Sequence, residues 1–352
     1  MMFVVAFGLA FCVAYLVTIP TIFIAKKWGI VTDRTKRIHP AHTHIGIVPR
    51  AGGLPVYIAF MLVSLLFVEI NKLYLGIMIA STATIVIGLL DDYFDVSPYI
   101  RFFLNIAISA LVILFGLGIP FISNPFGGVI HLDTWRVTFT VLGVRHSLLV
   151  FADILALVWL TWVTNMVNWS KGIDGQMPGF VAIAAFFLGL LSQRFVVHDV
   201  TTTNVLYFAL IVSGAYLGFL PFNMFPQKIM PGYGGGALAG FWLGILSILS
   251  FGKVGTFVLV LAIPFTDALY TLIRRIKSGA SPFRPDRGHL HHRLMDMGWG
   301  KRRIAAFYWI VTALLGCASL FLNGLEKLVV FVTIALLMGI FFIAIDSFQK
   351  HT

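Results

Sequence analysis

Apolar stretches of membrane-spanning length follow one another along this chain almost without interruption. About 20 apolar residues in helical form reach across the hydrocarbon core of a bilayer. In that solvent a backbone satisfies its N–H and C=O groups only as a helix or a closed barrel. Eleven such stretches can be counted, at about 2–25, 51–70, 73–90, 98–118, 147–168, 176–192, 204–221, 236–251, 254–274, 304–322 and 327–346. The composition is that of no water-soluble domain: 59% hydrophobic and 11% charged, with a mean hydropathy of +0.95. The expected fold is an all-α polytopic membrane protein of about eleven transmembrane helices, or ten if two weak spans merge. Residues 1–352 form one domain, with neither an internal repeat nor a disordered tail.

Charge orients it. With the first span ending in the cytoplasm, nineteen of the 25 Lys and Arg residues fall on the cytoplasmic side. The positive-inside rule then places the N-terminus outside and the C-terminus inside, a parity that eleven spans satisfy. The net charge of +11 lies mostly in those loops and suits anionic headgroups or phosphorylated substrates. Cys12 and Cys317 both fall in apolar spans, so no disulfide framework is expected. The first span is long and lacks a small-residue cleavage site, so no cleavable leader is expected. Residues 119–146 are external, and Pro120, Asn124, Pro125, Gly127 and Gly128 before the partly alternating run Val129–Val141 predict a small β-hairpin there.

The polar motifs fall on the cytoplasmic side. Asp91-Asp92-Tyr93-Phe94-Asp95 ends the third span. Carboxylates this close repel one another unless a cation or a base function uses them. The alternative is a solvated end to the span. Asn165-Met166-Val167-Asn168-Trp169-Ser170-Lys171-Gly172-Ile173-Asp174-Gly175 ends the fifth span, with Asn165 and Asn168 on one helical face. Ordinary turn chemistry would also explain it. Gly234-Gly235-Gly236 opens the eighth span, either to offer N–H groups to phosphate or to pack helices closely. The loop at 277–303 carries Arg284, Arg287, His289, His291, His292 and Arg293. Arginine forks match phosphate oxygens, and histidines bind metal, hydrogen-bond phosphate or move protons. A structural zinc site lacks its Cys partners. In the first loop Lys36, His39 and Arg50 are candidate phosphate contacts, or a membrane-surface basic patch. No charged group sits near a span midpoint except Asp153, near the outer end of span five, which argues against a transporter.

Taken together and in this order, Pro49-Arg50-Ala51-Gly52-Gly53, Asp91 to Asp95, Asn165 to Gly175, and Pro285-Asp286-Arg287-Gly288-His289-Leu290-His291-His292-Arg293 resemble the polyprenyl-phosphate N-acetylhexosamine-1-phosphate transferase family, of the glycosyltransferase family 4 type. That family includes the bacterial enzymes that start O-antigen, teichoic acid and enterobacterial common antigen lipids, and phospho-N-acetylmuramoyl-pentapeptide transferase. The histidine block is closer to the N-acetylglucosamine-1-phosphate branch. The resemblance implies transfer of an N-acetylhexosamine 1-phosphate, N-acetylglucosamine 1-phosphate above all, from a UDP-sugar to polyprenyl phosphate with release of UMP. Mg²⁺ bridges the diphosphate and a family aspartate. On this basis Asp91, Asp92 and Asp174 are the catalytic and metal-binding candidates. Lys36, Arg50, Asn165, Asn168, Arg284, Arg287, His289, His291 and His292 are the substrate-binding ones. The partners implied are polyprenyl phosphate, the UDP-N-acetylhexosamine and membrane lipids, with no nucleic acid. A homodimer is one open oligomeric state. The site would lie on the cytoplasmic face of the cell membrane.

Two positions depart from the family pattern. Where the family reads Asp-Gly-x-Asp-Gly, this chain has Lys171-Gly172-Ile173-Asp174-Gly175. Where it reads Met-Gly-Asp-x-Gly-Ser, this chain has Pro231-Gly232-Tyr233-Gly234-Gly235-Gly236, so Tyr233 stands at the family's metal aspartate. Three arrangements are compatible with these changes. The metal is held by Asp91, Asp92, Asp95 or Asp174; the Lys171 ammonium acts where the metal's charge would; or the protein binds lipid phosphate or nucleotide as a regulator or scaffold without turnover.

Overall fold

The structure, a computed structural model, describes residues 1–33, 46–141, 144–193, 200–250, 254–281 and 287–351. The helices in chain order are α1 (Met2–Lys27), α2 (Gly53–Phe67), α3 (Lys72–Phe94), α4 (Pro98–Leu114), α5 (Val150–Trp169), α6 (Gln176–Ser192), α7 (Val200–Asn223), α8 (Gly232–Leu249), α9 (Val254–Val260), α10 (Ala262–Lys277), α11 (Leu290–Asp296), α12 (Lys301–Phe321) and α13 (Gly324–His351). A helix lies in each of the eleven apolar stretches. Among the described residues seven helices are long and apolar enough to cross a membrane, or up to eight if a bent pair is one span. The exteriors of α4, α12 and α13 expose Phe103, Leu314 and Ile340, surface that needs lipid rather than water. The chain is a multi-pass membrane protein.

The eleven-span expectation differs from the described helices in two ways. Helices α2, α4 and α6 have only 15, 17 and 17 residues. At about 1.5 Å per residue they cover roughly 22–26 Å, the short end of what spans a hydrocarbon core about 30 Å thick. The ninth stretch is not one rod: α9 and α10 meet at a 90° bend. Hydropathy sums apolar residues and is blind to such breaks.

Helix α8 is the central column, with nearly every residue buried. It packs against α2, α3, α5 and α6. Glycines on α8 and on its neighbours make that possible. A Cβ on Gly53 would collide with the backbone of Gly235, one on Gly88 with Gly234, and one on Gly240 with Thr164. Small residues let backbones approach where lipid supplies no hydrophobic drive between helices. Phe60, Trp242 and Tyr216 fill the space beside this column, all fully buried. The Trp242 indole donates to Ser81 Oγ at 2.8 Å, and the Tyr216 hydroxyl to the Gly235 carbonyl at 2.7 Å.

Among the described residues six short strands form three antiparallel pairs. β1 (Val31–Asp33) pairs with β2 (Ile47–Pro49) ahead of α2. Between α4 and α5, β3 (Phe121–Ser123) pairs with β4 (Val129–His131), and β5 (Arg136–Val141) with β6 (Val144–Leu149). The segment predicted as one hairpin therefore holds two. Asp153 accepts from the Leu149 N–H at 2.9 Å and so closes the first turn of α5.

Candidate functional site

The polar motifs gather at one end of the bundle, where α3 and α5 end and α4 and α8 begin. Helix α3 is capped at its start by Asn71, whose side chain accepts from the Tyr74 N–H. It ends at Asp95, in the left-handed conformation with φ 57°. Asp91 and Asp92 thus lie in its last turn, where the helix dipole disfavours negative charge. Both are buried, Asp91 at 0% exposure and Asp92 at 2%. Cations from two other elements make this tenable. Arg101, in the first turn of α4, donates from Nη1 to both oxygens of Asp91 at 3.2 Å. Arg50, just ahead of α2, places Nε 3.3 Å from Asp92 Oδ1 and Nη2 3.8 Å from Asp91 Oδ2.

A further partner is the start of α8. The Tyr233 N–H donates to Asp92 Oδ1 at 2.8 Å, so Asp92 takes the anion position at that helix N-terminus. Gly234 to Gly236 serve close packing, the second of the two uses expected of them. Gly232 has φ +69°, and a Cβ there would collide with the Arg50 carbonyl and the Asp92 carboxylate. Only glycine lets this turn seat between them.

Lys171 completes the cluster. Its Nζ donates at 2.7 Å to Asn168 Oδ1 and at 2.7 Å to the Gly232 carbonyl, and lies 5.6 Å from the centre of the Tyr233 ring. The Arg101 guanidinium lies 5.2 Å from that same ring. Burial first of all, with help from Arg50 and Arg101, lowers the Lys171 ammonium from its ordinary value, against the pull of Asp92 and Asp91. The Tyr233 hydroxyl donates to Asn105 Oδ1 at 3.0 Å, and Asn165 donates to the Thr161 carbonyl at 2.7 Å. A groove of about 390 Å³ runs beside Asn165 between α4, α5 and α10, lined by Phe102, Ile106, Val158, Trp162, Trp169 and Leu272 among others.

The histidine block forms a neighbouring stack. His289 and His291 lie parallel, ring centres 5.5 Å apart, and His292 follows at 4.4 Å. Asp267 of α10 organises it: Oδ2 lies 3.0 Å from His289 Nδ1, and Oδ1 accepts the Leu290 N–H that opens α11 at 2.8 Å. His291 packs against Gly172, where a Cβ would collide with its ring. Burial holds the His291 imidazole well below its ordinary range and, with Arg287 and His289, brings His292 to about 4. Both rings are therefore neutral at neutral pH. Arg293 anchors the segment by donating to the Gly288 carbonyl at 3.0 Å and to the Phe342 carbonyl of α13 at 3.4 Å.

The predicted site residues are thus placed unequally. Arg50, Asp91, Asp92 and Asn168 come together around Lys171 and Tyr233, with Asn165 beside them. His289, His291 and His292 adjoin through Gly172. Asp174 belongs to another network, in which Lys301 Nζ at 3.1 Å and Gln227 Nε2 at 3.2 Å both reach its Oδ1. Arg287 makes a surface pair with Asp296 at 2.7 Å, its side chain 44% exposed. Lys36 and Arg284 lie outside the described residues. Arg101, Asn105 and Asp267 were not among the predicted residues. Arg101 and Asn105 carried a signal, polar residues four apart on one face of an apolar helix. Asp267 is a correction to the expectation that Asp153 alone approaches a span midpoint, since it lies well inside the stretch 254–274.

A divalent ion does not fit these side chains as they stand. Mg²⁺ needs near-octahedral oxygen coordination at about 2.0–2.1 Å. The Asp91 and Asp92 oxygens face Arg50, Arg101 and the Tyr233 N–H, Asp95 Oδ1 lies 4.0 Å from Arg50 Nη1, and Asp174 faces Lys301. The Asn168 and Gly232 oxygens close on the Lys171 ammonium. Among the described residues no three of His, Cys, Asp and Glu gather as a metal site.

Fold and site together define a polytopic membrane protein with a cation-lined cleft at one end of its bundle and an apolar groove beside it. The profile of glycosyl transferase family 4 matches residues 74–251, just over half of the chain. The chain belongs to that family and is an enzyme of the transferase class. It is 28% identical over 330 residues to the probable undecaprenyl-phosphate N-acetylglucosaminyl 1-phosphate transferase of Bacillus subtilis strain 168, covering 91% of this chain and 85% of the relative. It is 28% identical to the decaprenyl-phosphate N-acetylglucosaminephosphotransferase of Mycobacterium leprae, over 85% of this chain and 80% of the relative. It is 29% identical to the undecaprenyl-phosphate alpha-N-acetylglucosaminyl 1-phosphate transferase of Escherichia coli K12, over 83% and 76%.

Proposed function

We propose that this protein transfers N-acetylglucosamine 1-phosphate from UDP-N-acetylglucosamine to polyprenyl phosphate at the cytoplasmic face of the cell membrane, releasing UMP and starting a cell-envelope glycan. The observation that carries the reading is the juxtaposition of a cation cluster (Arg50, Arg101, Lys171) with an apolar groove lined by Phe102, Trp162 and Asn165. One suits two phosphate-bearing substrates; the other suits the isoprenoid chain of a lipid acceptor. The named activities of the relatives and the charge asymmetry of the loops support the acceptor, the sugar and the side of the membrane.

In the reaction a non-bridging oxygen of the lipid phosphate attacks the β-phosphorus of the donor. A new P–O bond forms, the bond to the α–β bridging oxygen breaks, and UMP leaves with that electron pair. Such transfers need positioning and neutralisation of spread negative charge more than covalent help. Arg50, Arg101 and Lys171 supply the positive charge. Asp91 and Asp92 hold the arginines in place, and Asp92 is the base for any proton left on the lipid phosphate. The neutral His291 and His292 donate hydrogen bonds to the diphosphate without adding charge. Asn165 and Asn168 border the acceptor.

The test is an exchange assay. Purified protein is incubated with polyprenyl phosphate and UDP-N-acetylglucosamine labelled in the sugar. Label should pass into an organic-extractable diphospholipid with UMP released in equal amount. Nucleotide binding with no labelled lipid formed would replace transfer by a binding role.

A further inference from the structure

We infer that the Lys171 ammonium is the resident cation of this cleft, so that a nucleoside diphosphate binds on Lys171, Arg50 and Arg101 with no divalent ion. The inference rests on the proposed transfer from a UDP-sugar. Three observations carry it. The Lys171 Nζ sits in a made-to-measure oxygen cradle, Asn168 Oδ1 and the Gly232 carbonyl both at 2.7 Å. The turn that presents the second of these is possible only for glycine, because a Cβ on Gly232 would strike Arg50 and Asp92. The wall beside the ammonium is the face of Tyr233, whose π-electrons favour a cation, and not a carboxylate that would ligate a metal.

Charge leads to the same assignment. Two buried carboxylates, Asp91 and Asp92, lie against three cations that are only part-buried. These two carboxylates lie beneath the cations, and at the rim Asp95, its side chain 57% exposed, sits 4.0 Å from Arg50 Nη1. A dication entering here would meet three positive groups around one exposed carboxylate, Asp95, and two of the oxygens it would need already hold an ammonium. A phosphate meets the reverse: guanidinium forks and one ammonium hydrogen that no described residue takes. Mg²⁺ accompanies phosphate where the protein supplies carboxylates to hold it; here the protein supplies the cation itself.

Full-length protein in nanodiscs gives a direct test, with Mn²⁺ as the metal probe and UDP as the nucleotide probe. The natural protein should leave the spectrum of free Mn²⁺ unchanged, and UDP affinity should agree within about threefold between excess EDTA and millimolar Mg²⁺. Lys171→Gln should weaken UDP binding about tenfold or more, and Lys171→Arg should retain most of it. Lys171→Asp combined with Tyr233→Asp should create a stoichiometric Mn²⁺ site and make UDP binding depend on Mg²⁺. Stoichiometric uptake of Mn²⁺ by the natural protein, or loss of UDP binding in EDTA, overturns the inference. Neither measurement requires a variant to fold. UDP binding that needs Mg²⁺ would defeat the resident-cation role alone. No UDP binding under either condition would defeat the UDP-sugar donor as well.

Discussion

At the scale of the residue, the site turns on carboxylates placed where a helix least favours them. Asp91 and Asp92 end α3, at the negative pole of its dipole, and are buried there. Their pairing with Arg50, Arg101 and the Tyr233 N–H follows from that position. Asp92→Asn keeps the shape of the side chain but removes the charge that holds Arg50 and the basicity proposed for it. Turnover in the exchange assay should fall on the order of 10²-fold or more. Asp91→Asn should do the same by releasing Arg101. Near-normal rates in both variants would move the chemistry elsewhere. Arg287 contrasts with these, since its pair with Asp296 is solvent-exposed. Arg287→Ala should change the melting temperature little, because an exposed pair contributes about 0–1 kcal/mol. The acidic pair was legible because acids at a span end need a reason. In the sequence Arg101 is one more charge on the cytoplasmic side, and its role depends on how α4 folds back beside α3.

At the scale of the element, the loop between α5 and α6 is a hinge between two clusters. Lys171 faces the cation cleft while Gly172 abuts His291, and the Gly175 and Gln176 carbonyls accept from the Trp309 indole of α12 at 3.1 and 3.2 Å. Gly172→Ala should displace the His291 ring and weaken UDP binding while the helical circular dichroism stays unchanged. Unaltered affinity would show that the stack does not contact nucleotide. The short helix α11 depends likewise on Asp267. Asp267→Ala removes the acceptor for the Leu290 N–H and the partner of His289 together. It should cost on the order of 2 kcal/mol, read as a lowered melting temperature. Proteolysis should then cut first near α11. The histidine block was legible as a dense cluster, but its organiser was not. Asp267 became its partner through the 90° bend between α9 and α10, which sets α10 beside the loop that follows it.

At the scale of the whole molecule, α8 is enclosed by the other helices, whereas α1 and α13 expose apolar faces along their length. Orientation belongs to this scale. A reporter fused after Arg303 should read cytoplasmic and one inserted near Asn124 external. A cytoplasmic signal at Asn124 would invert the side assigned to the cleft. Acid stability also belongs here. The His292 side chain is held neutral in the fold to about pH 4, whereas an unfolded chain takes up that proton near its ordinary value of 6.5. The unfolded state therefore binds more protons between these values, so stability is full above about pH 6.5 and falls as the pH drops toward 4. The loss is at most about 3–4 kcal/mol. His292→Gln should flatten the dependence of melting temperature on pH across that window. An unchanged slope would assign acid lability to other groups.

The sequence by itself determined the solvent this protein folds in, the positions of its apolar helices and the residue types that gather at one end of them. Those properties are local, because hydropathy, charge and glycine placement act over a turn or two of chain. Only the tertiary structure decided how far each helix runs, where the ninth stretch bends, and which partner each charge takes. Asp174 was grouped in sequence with Asp91 and Asp92 but pairs with Lys301, whereas Lys171 and Tyr233 stand 62 residues apart and share one cleft. Spacing along a chain cannot rank such pairings, since burial and the approach of other helices set the electrostatic partner of a buried charge.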